Sequence, residues 1–258
     1  MSKTAIVYTC SHSDPSTDNE RFSWLGDLIE DVKPDYVIDL GDGADMRSLN
    51  TYDTRYPQAI VSQNYGEDIE AYNNAMSRLW DRYKLTKRKR PFRIGFEGNH
   101  ENRIKKAIAH DPRLKGKKYG ISFSHLQTDH WFDEYHEYVN SAPALVDYDG
   151  IVYGHYVSTG NFGSALSTKH HGYSLTEKLA CSVTVGHSHK FSYHYKGDAK
   201  PYPIHGLVAG CFKGKDEPWA GQANFEWRKG VVIKREICNG DYNLQWVSME
   251  QLRREYGK

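Results

Sequence analysis

Five short apolar runs in this chain each end in a polar loop whose side chains can hold a metal ion. The loops contribute His12, Asp42, Asn99 with His100, His155, and His187 with His189. Imidazole nitrogen, carboxylate oxygen and amide oxygen are the ligand types of borderline transition metals such as Zn, Fe or Mn. The set is too rich for one ion. Two ions about 3.5–4 Å apart need a bridging anion, which a single carboxylate can supply. Asp42, directly after Gly41, suits that position. Taken singly, each of His12, His155, His187 and His189 reads better as a surface or hydrogen-bonded histidine than as a ligand. Asp42 could merely cap a turn and Asn99 could occupy a left-handed one. Recurrence behind successive apolar runs favours ligation for all six.

Residues so far apart in sequence meet only if the elements before them run side by side. In open α/β sheets, functional groups gather at the carboxyl ends of strands. Residues 5–9 (AIVYT), 36–40 (YVIDL), 92–96 (FRIGF), 151–153 and 181–185 read as buried strands feeding the five loops. Between the first two, residues 19–32 place Phe22, Leu25, Leu28, Ile29 and Val32 at helical spacing, with Asp18 or Asn19 as cap and Pro34 as stop. Residues 67–83 form a second helix through Ile69, Tyr72, Met76, Leu79 and Trp80. From Ile204 onward, alternation and Gly-containing turns such as Asn239-Gly240 predict antiparallel strands, and residues 249–256 a closing amphipathic helix.

The 258 residues carry 34 Lys+Arg against 33 Asp+Glu, and 38% are hydrophobic, a composition that predicts neither disorder nor bulk attraction to nucleic acid. No window of about 18 apolar residues exists, and the opening MSKTAIVYTCSHSD turns polar too soon for a signal peptide. A cytoplasmic protein without a membrane role is expected. Cys10, Cys181, Cys211 and Cys238 form no CxxC pair and read as free thiols. The basic run at residues 84–90 (KLTKRKR) reads as a solvated helix end, with tracking of a nucleic-acid backbone as the alternative. His110, His125, His130, His136, His170, His171, His194 and His205 match no motif. The tyrosines and tryptophans fit a core as well as a base-stacking surface.

Gly41-Asp42, Gly98-Asn99-His100-Glu101, a lone His155 behind a strand and Gly186-His187-Ser188-His189 together resemble the calcineurin-like metallophosphoesterases, in the family's order. The likeness extends to the bacteriophage-type branch through residues 41–49 (GDGADMRSL), 98–104 (GNHENRI) and 227–230 (WRKG), and covers nearly the whole chain. The resemblance implies one α/β domain over residues 1–258: a four-layer αββα sandwich of two mixed β-sheets flanked by helices. It implies two divalent transition-metal ions (Mn, Zn, Fe or Ni), one on His12, Asp42 and His189, the other on Asp42, Asn99, His155 and His187. Asp42 would bridge, a metal-activated hydroxide would attack phosphorus, and His100 would act as general acid. Asn99, His100 and Arg103 would contact substrate, Arg103 either as a phosphate clamp or as a solvated residue of a first helical turn. The substrate would be a small phosphate ester or nucleotide, a diester before a monoester. A nuclease acting on DNA or RNA and a non-catalytic scaffold are the rivals. No motif marks a protein partner, and a phage origin would place the chain in a host cytoplasm.

The family begins its first loop with Asp-x-His, whereas this chain has Cys10-Ser11-His12. Three readings follow. Cys10 ligates as thiolate and favours Zn or Fe, or the first ion is held by fewer groups, or Asp14 reaches in. Asp45 reads as a helix-start residue or a support for the ligands, and Asp39 has no evident role.

Overall fold

The computed structural model describes residues 2–51, 64–84, 89–160, 163–197 and 201–257. Its strands, in chain order, are β1 (Lys3–Tyr8), β2 (Tyr36–Asp39), β3 (Phe92–Phe96), β4 (Glu134–His136), β5 (Val146–Tyr148), β6 (Ile151–Gly154), β7 (Ser158–Thr159), β8 (Ser164–Ala165), β9 (Ser182–Val185), β10 (Phe191–Lys196), β11 (Ile204–Ala209), β12 (Gly230–Cys238) and β13 (Asp241–Ser248). The α-helices are α1 (Glu20–Val32), α2 (Tyr65–Trp80), α3 (Asn102–His110), α4 (Thr128–Trp131), α5 (His171–Leu179) and α6 (Met249–Tyr256).

Two mixed sheets stack face to face with helices outside, as expected. The first has the order β13-β12-β1-β2-β3-β4 and the second β10-β11-β9-β6-β5. Strand alternation sorts side chains between the layers. From β1, Ile6 and Tyr8 join Phe22, Leu25, Met76 and Leu79 beneath α1 and α2, while Ala5 and Val7 join Ile38, Ile94, Tyr153 and Leu207 between the sheets. On the far side, Leu175 of α5 packs on Val183, Val185 and Val208. Each such side chain, taken fully out of water, stabilises the fold by about 1.5–3 kcal/mol.

β1, β2, β3 and β4 run parallel, as do β6, β9 and β11. The reading of residues 204–209 as part of an antiparallel set is therefore corrected. β11 is antiparallel only to β10 and lies parallel to β9, because its apolar pattern fits the sheet centre rather than a hairpin edge. β12 and β13 do form the antiparallel hairpin, turning through Asn239 (φ 50°) and Gly240 (φ 86°), and β12 pairs with β1. Helix α1 ends at Lys33 (φ 51°), whose N–H reaches Ile29 O at 2.9 Å. At its start Asp18 Oδ1 accepts from the Glu20 N–H, while Asn19 spends its amide on Ala71 O of α2. Residues 85–88, most of the basic run, lie outside the described residues, and Arg90 pairs with Asp133.

Candidate metal centre

Loops from the carboxyl ends of β1, β2, β3, β6 and β9 converge where the two sheets meet. The first two are laced by backbone hydrogen bonds: Cys10 N to Gly41 O at 2.9 Å, His12 N to Asp42 O at 2.9 Å and Ser13 N to Gly43 O at 2.8 Å. Glu101 ties in the third, its carboxylate accepting from the N–H groups of Asp42 (3.1 Å), Ala44 (2.8 Å) and Gly98 (2.9 Å). Gly98 is required there, since a Cβ would fall 2.2 Å from Asp42 N. Cys10, His12, Asp42, His187 and His189 all hold left-handed φ between 45° and 66°. Such strain costs about 1–3 kcal/mol per residue and concentrates at functional sites.

This backbone aims two groups of electron-pair donors at one another. His155 Nδ1 donates to Leu40 O at 2.7 Å, which leaves Nε2 as the ring's lone-pair atom. Around that Nε2 stand Asp42 Oδ2 (3.1 Å), Asn99 Oδ1 (3.1 Å) and His187 Nδ1 (3.2 Å). In the second group His12 Nδ1 is held by Asp45 Oδ1 at 2.8 Å, and His12 Nε2 faces His189 Nε2 at 3.0 Å. Asp42 Oδ2 lies between the groups, 3.8 Å from His12 Nε2. A shared cation would satisfy donor atoms in such numbers and at such spacing.

Charge balance agrees. Burial would raise Asp42, yet His155, His100 and His12 beside it hold its carboxyl well below the usual range. Burial and the charge of Lys213 push His12 down to about 3, and burial with His155 takes His187 down to about 4. Burial also carries His189 well below the ordinary imidazole value. Neutral imidazoles are the form that binds metal. His155 differs: burial lowers it, but Asp42 beside it and the Leu40 carbonyl together raise it, so a cation at its Nε2 would displace a proton.

Cys10 stands between the two groups. Its Sγ and the ligand atoms of His12 and His189 lie within 4.8 Å of one another, as do Sγ, Asp42 and His155. It accepts from the His187 N–H at 3.2 Å, and burial pushes its thiol well up. Asp14, the alternative, is engaged elsewhere: its oxygens take Ser16 N at 2.7 Å and Thr17 Oγ1 at 2.6 Å, with Lys215 at 3.4 Å. His100 packs edge-on to His12 with ring centres 4.4 Å apart, donates Nδ1–H to Asp45 O at 2.7 Å, and faces Arg103 Nη2 through Nε2 at 3.3 Å. Arg103 also holds Asp45 O at 2.9 Å and Met46 O at 3.3 Å, so it braces His100 and the second loop rather than reaching out alone.

Sequence reasoning left Asp45, Glu101 and Asp39 outside the site. Asp45 orients both His12 and His100, Glu101 clamps two loops, and Asp39 accepts the Gly41 N–H at 3.0 Å. Asp45 had a signal, its place in residues 41–49, and its reading as a support for the ligands agrees with these contacts; Glu101 had one in the Asn99-His100 motif, and Asp39 had none. Trp227, noted only as part of a turn, sets its ring 4.5 Å from that of His189.

No protein-family profile matches the chain, and no curated protein does. Among solved structures it is similar to a conserved uncharacterized protein, a predicted phosphoesterase, from Streptococcus pneumoniae TIGR4, at 12% identity and a TM-score of 0.38 over 97% of this chain and 91% of that one. It is also similar to Yfce, a phosphoesterase from E. coli, at 11% identity and a TM-score of 0.36 over 95% and 99% of the two chains. Likeness at this level carries no conclusion about activity.

Proposed function

We propose that the chain is a metal-dependent phosphoesterase of the calcineurin-like kind, acting on phosphodiesters through two divalent transition-metal ions, Mn, Zn, Fe or Ni. The observation that carries the reading is the double convergence of lone-pair atoms, at His155 Nε2 and at His12 Nε2, with Asp42 Oδ2 between them. The donors fit such ions: imidazoles, one carboxylate, an amide oxygen and a thiol, with the far nitrogens of His12 and His155 already fixed on Asp45 and Leu40. His12, Asp42 and His189, with Cys10, would hold the first ion, and Asp42, Asn99, His155 and His187 the second. Bound there, the ions would neutralise phosphoryl oxygens and bring a water near neutral pKa.

The remaining steps belong to side chains. Asp45 and the Leu40 carbonyl set the tautomers, and Asp42 presents one oxygen to both positions. His100, with Nδ1–H on the Asp45 carbonyl, has Nε2 as its working atom: protonated, it gives a proton to the leaving-group oxygen, and Arg103 beside it offers a second donor.

The test is hydrolysis of bis-p-nitrophenyl phosphate and p-nitrophenyl phosphate by metal-stripped protein reloaded separately with Mn, Zn, Fe, Ni or Mg, alongside His100→Asn. Diester cleavage should return with at least one ion, and His100→Asn should keep its metal yet lose about 10²- to 10⁴-fold in turnover. Stoichiometric binding without hydrolysis by any ion would transfer the reading to a scaffold. Full turnover in His100→Asn would remove that residue from the chemistry.

A further inference from the structure

The metal centre says nothing about what the phosphate is attached to, but the surface beside it does. Trp227 stands edge-on to His189, ring centres 4.5 Å apart, so an indole borders the imidazole that faces His12. Trp219 lies 5.9 Å from Trp227 at an interplanar angle of 60° and is 71% exposed. Single exposed aromatics are ordinary on protein surfaces. Two indoles in contact, one touching a candidate ligand and the other open to solvent, form a continuous path from the centre outward.

Trp219 lies on the 3-10 stretch Pro218–Glu226, kinked at Gly221 and followed directly by Trp227, and this stretch is held shut at its base. Asn224 accepts from the Glu217 N–H at 2.9 Å and donates to Glu217 O at 2.8 Å. The Glu217 carboxylate, 3% exposed, pairs with buried Lys213 at 2.7 Å, and Lys213 Nζ stands 5.4 Å from the Trp227 ring centre. The exposed Trp219 ring is thus mounted on an anchored frame. Pre-fixed aromatic faces beside a phosphate-handling centre are how proteins hold nucleobases without selecting among them, because every base has a π-face.

We propose that Trp219 and Trp227 form a stacking platform for a nucleobase of the substrate, which makes the substrate class a nucleoside phosphoester. The inference rests on the phosphoesterase reading. The base could belong to a free nucleotide or to the end of a single strand, and the chemistry recognised is the same.

The metal-loaded protein and its Trp219→Ala and Trp219→Phe variants would be compared on thymidine 5′-(p-nitrophenyl phosphate) and methyl p-nitrophenyl phosphate, diesters with a common leaving group. Trp219→Ala should lower kcat/KM for the thymidine ester about tenfold more than for the methyl ester, and Trp219→Phe should recover most of that difference. Equal losses on both esters would overturn the platform in favour of a purely structural role, and no loss on either would overturn it too. Adding a thymidine oligonucleotide with the same leaving group separates the sources: a further gain over the mononucleotide points to a strand, none to a free nucleotide. Quenching of tryptophan fluorescence by adenosine monophosphate, lost in Trp219→Ala, tests stacking without catalysis. If neither ester is cleaved, the phosphoesterase reading fails by itself, and absent quenching would then also sink the platform.

Discussion

On the proposed two-ion reading, Cys10 would decide the character of the first ion. Its sulfur is buried, lies within 4.8 Å of ligand atoms from both groups, and carries a thiol that burial pushes well up. A thiol in that condition keeps its proton until a cation displaces it, so ligation and deprotonation are one event. Thiolate is a soft donor and selects Zn or Fe over Mn and Mg. Loaded with Co(II), the protein should therefore show sulfur-to-cobalt charge-transfer absorption that Cys10→Asp abolishes, and the variant's preference should move toward Mn and Mg. An identical spectrum and unaltered metal preference in the variant would reduce Cys10 to a packing residue. Asp14 does not compete for the role, because both its oxygens are taken by Ser16, Thr17 and Lys215.

At the scale of elements, strand ends do the positioning, and the glycines behind the ligands set how closely the loops approach. A Cβ at Gly98 would sit 2.2 Å from both the backbone nitrogen and the Oδ1 of Asp42, where the neighbouring atom is backbone and cannot swing away. Gly98→Ala should cost about 1–3 kcal/mol, the usual penalty of overpacking, and should weaken metal binding further by displacing Asp42. Thermal unfolding with and without metal separates the two effects; a loss of stability that metal fully offsets would contradict the displacement. The five site strands were legible because each combines an apolar run with a polar stop. β4 and β5 were not, being three residues long with mixed sequences, EYH and VDY. β10 alternates Phe191, Tyr193 and Tyr195 with polar residues, but only Phe191 packs on the inter-sheet core while Tyr193 and Tyr195 stand 38% and 57% exposed, so aromatic periodicity there overstates the core.

For the whole molecule, Lys234 tests how dry the space between the sheets is. It lies on β12, fully buried, with Nζ donating to Thr184 Oγ1 at 2.5 Å and Tyr153 Oη at 3.2 Å and no carboxylate among those partners. Burial lowers it well below the ordinary lysine range. The unfolded chain then binds a proton that the folded chain refuses, from the folded pKa up to about 10.4, so stability rises with pH across that window. Lys234→Met should flatten this rise and be at least as stable as the parent at pH 7. Parallel stability curves for the two proteins between pH 7 and 10 would mean that Lys234 stays charged inside the fold. The sequence by itself determined the local matters: which residue types can take a metal, that each follows an apolar run, and that the runs alternate with helices as an α/β chain does. Those signals live in a few consecutive side chains. The tertiary structure alone decided that β11 enters the second sheet parallel to β9, that Glu101 ties the loops of the candidate ligands while Arg103 braces His100, and that Cys10 lies between both groups. Apart from the local Arg103–His100 contact, these depend on contacts between residues tens to hundreds of positions apart, where chain entropy and packing, not local preference, select the neighbour.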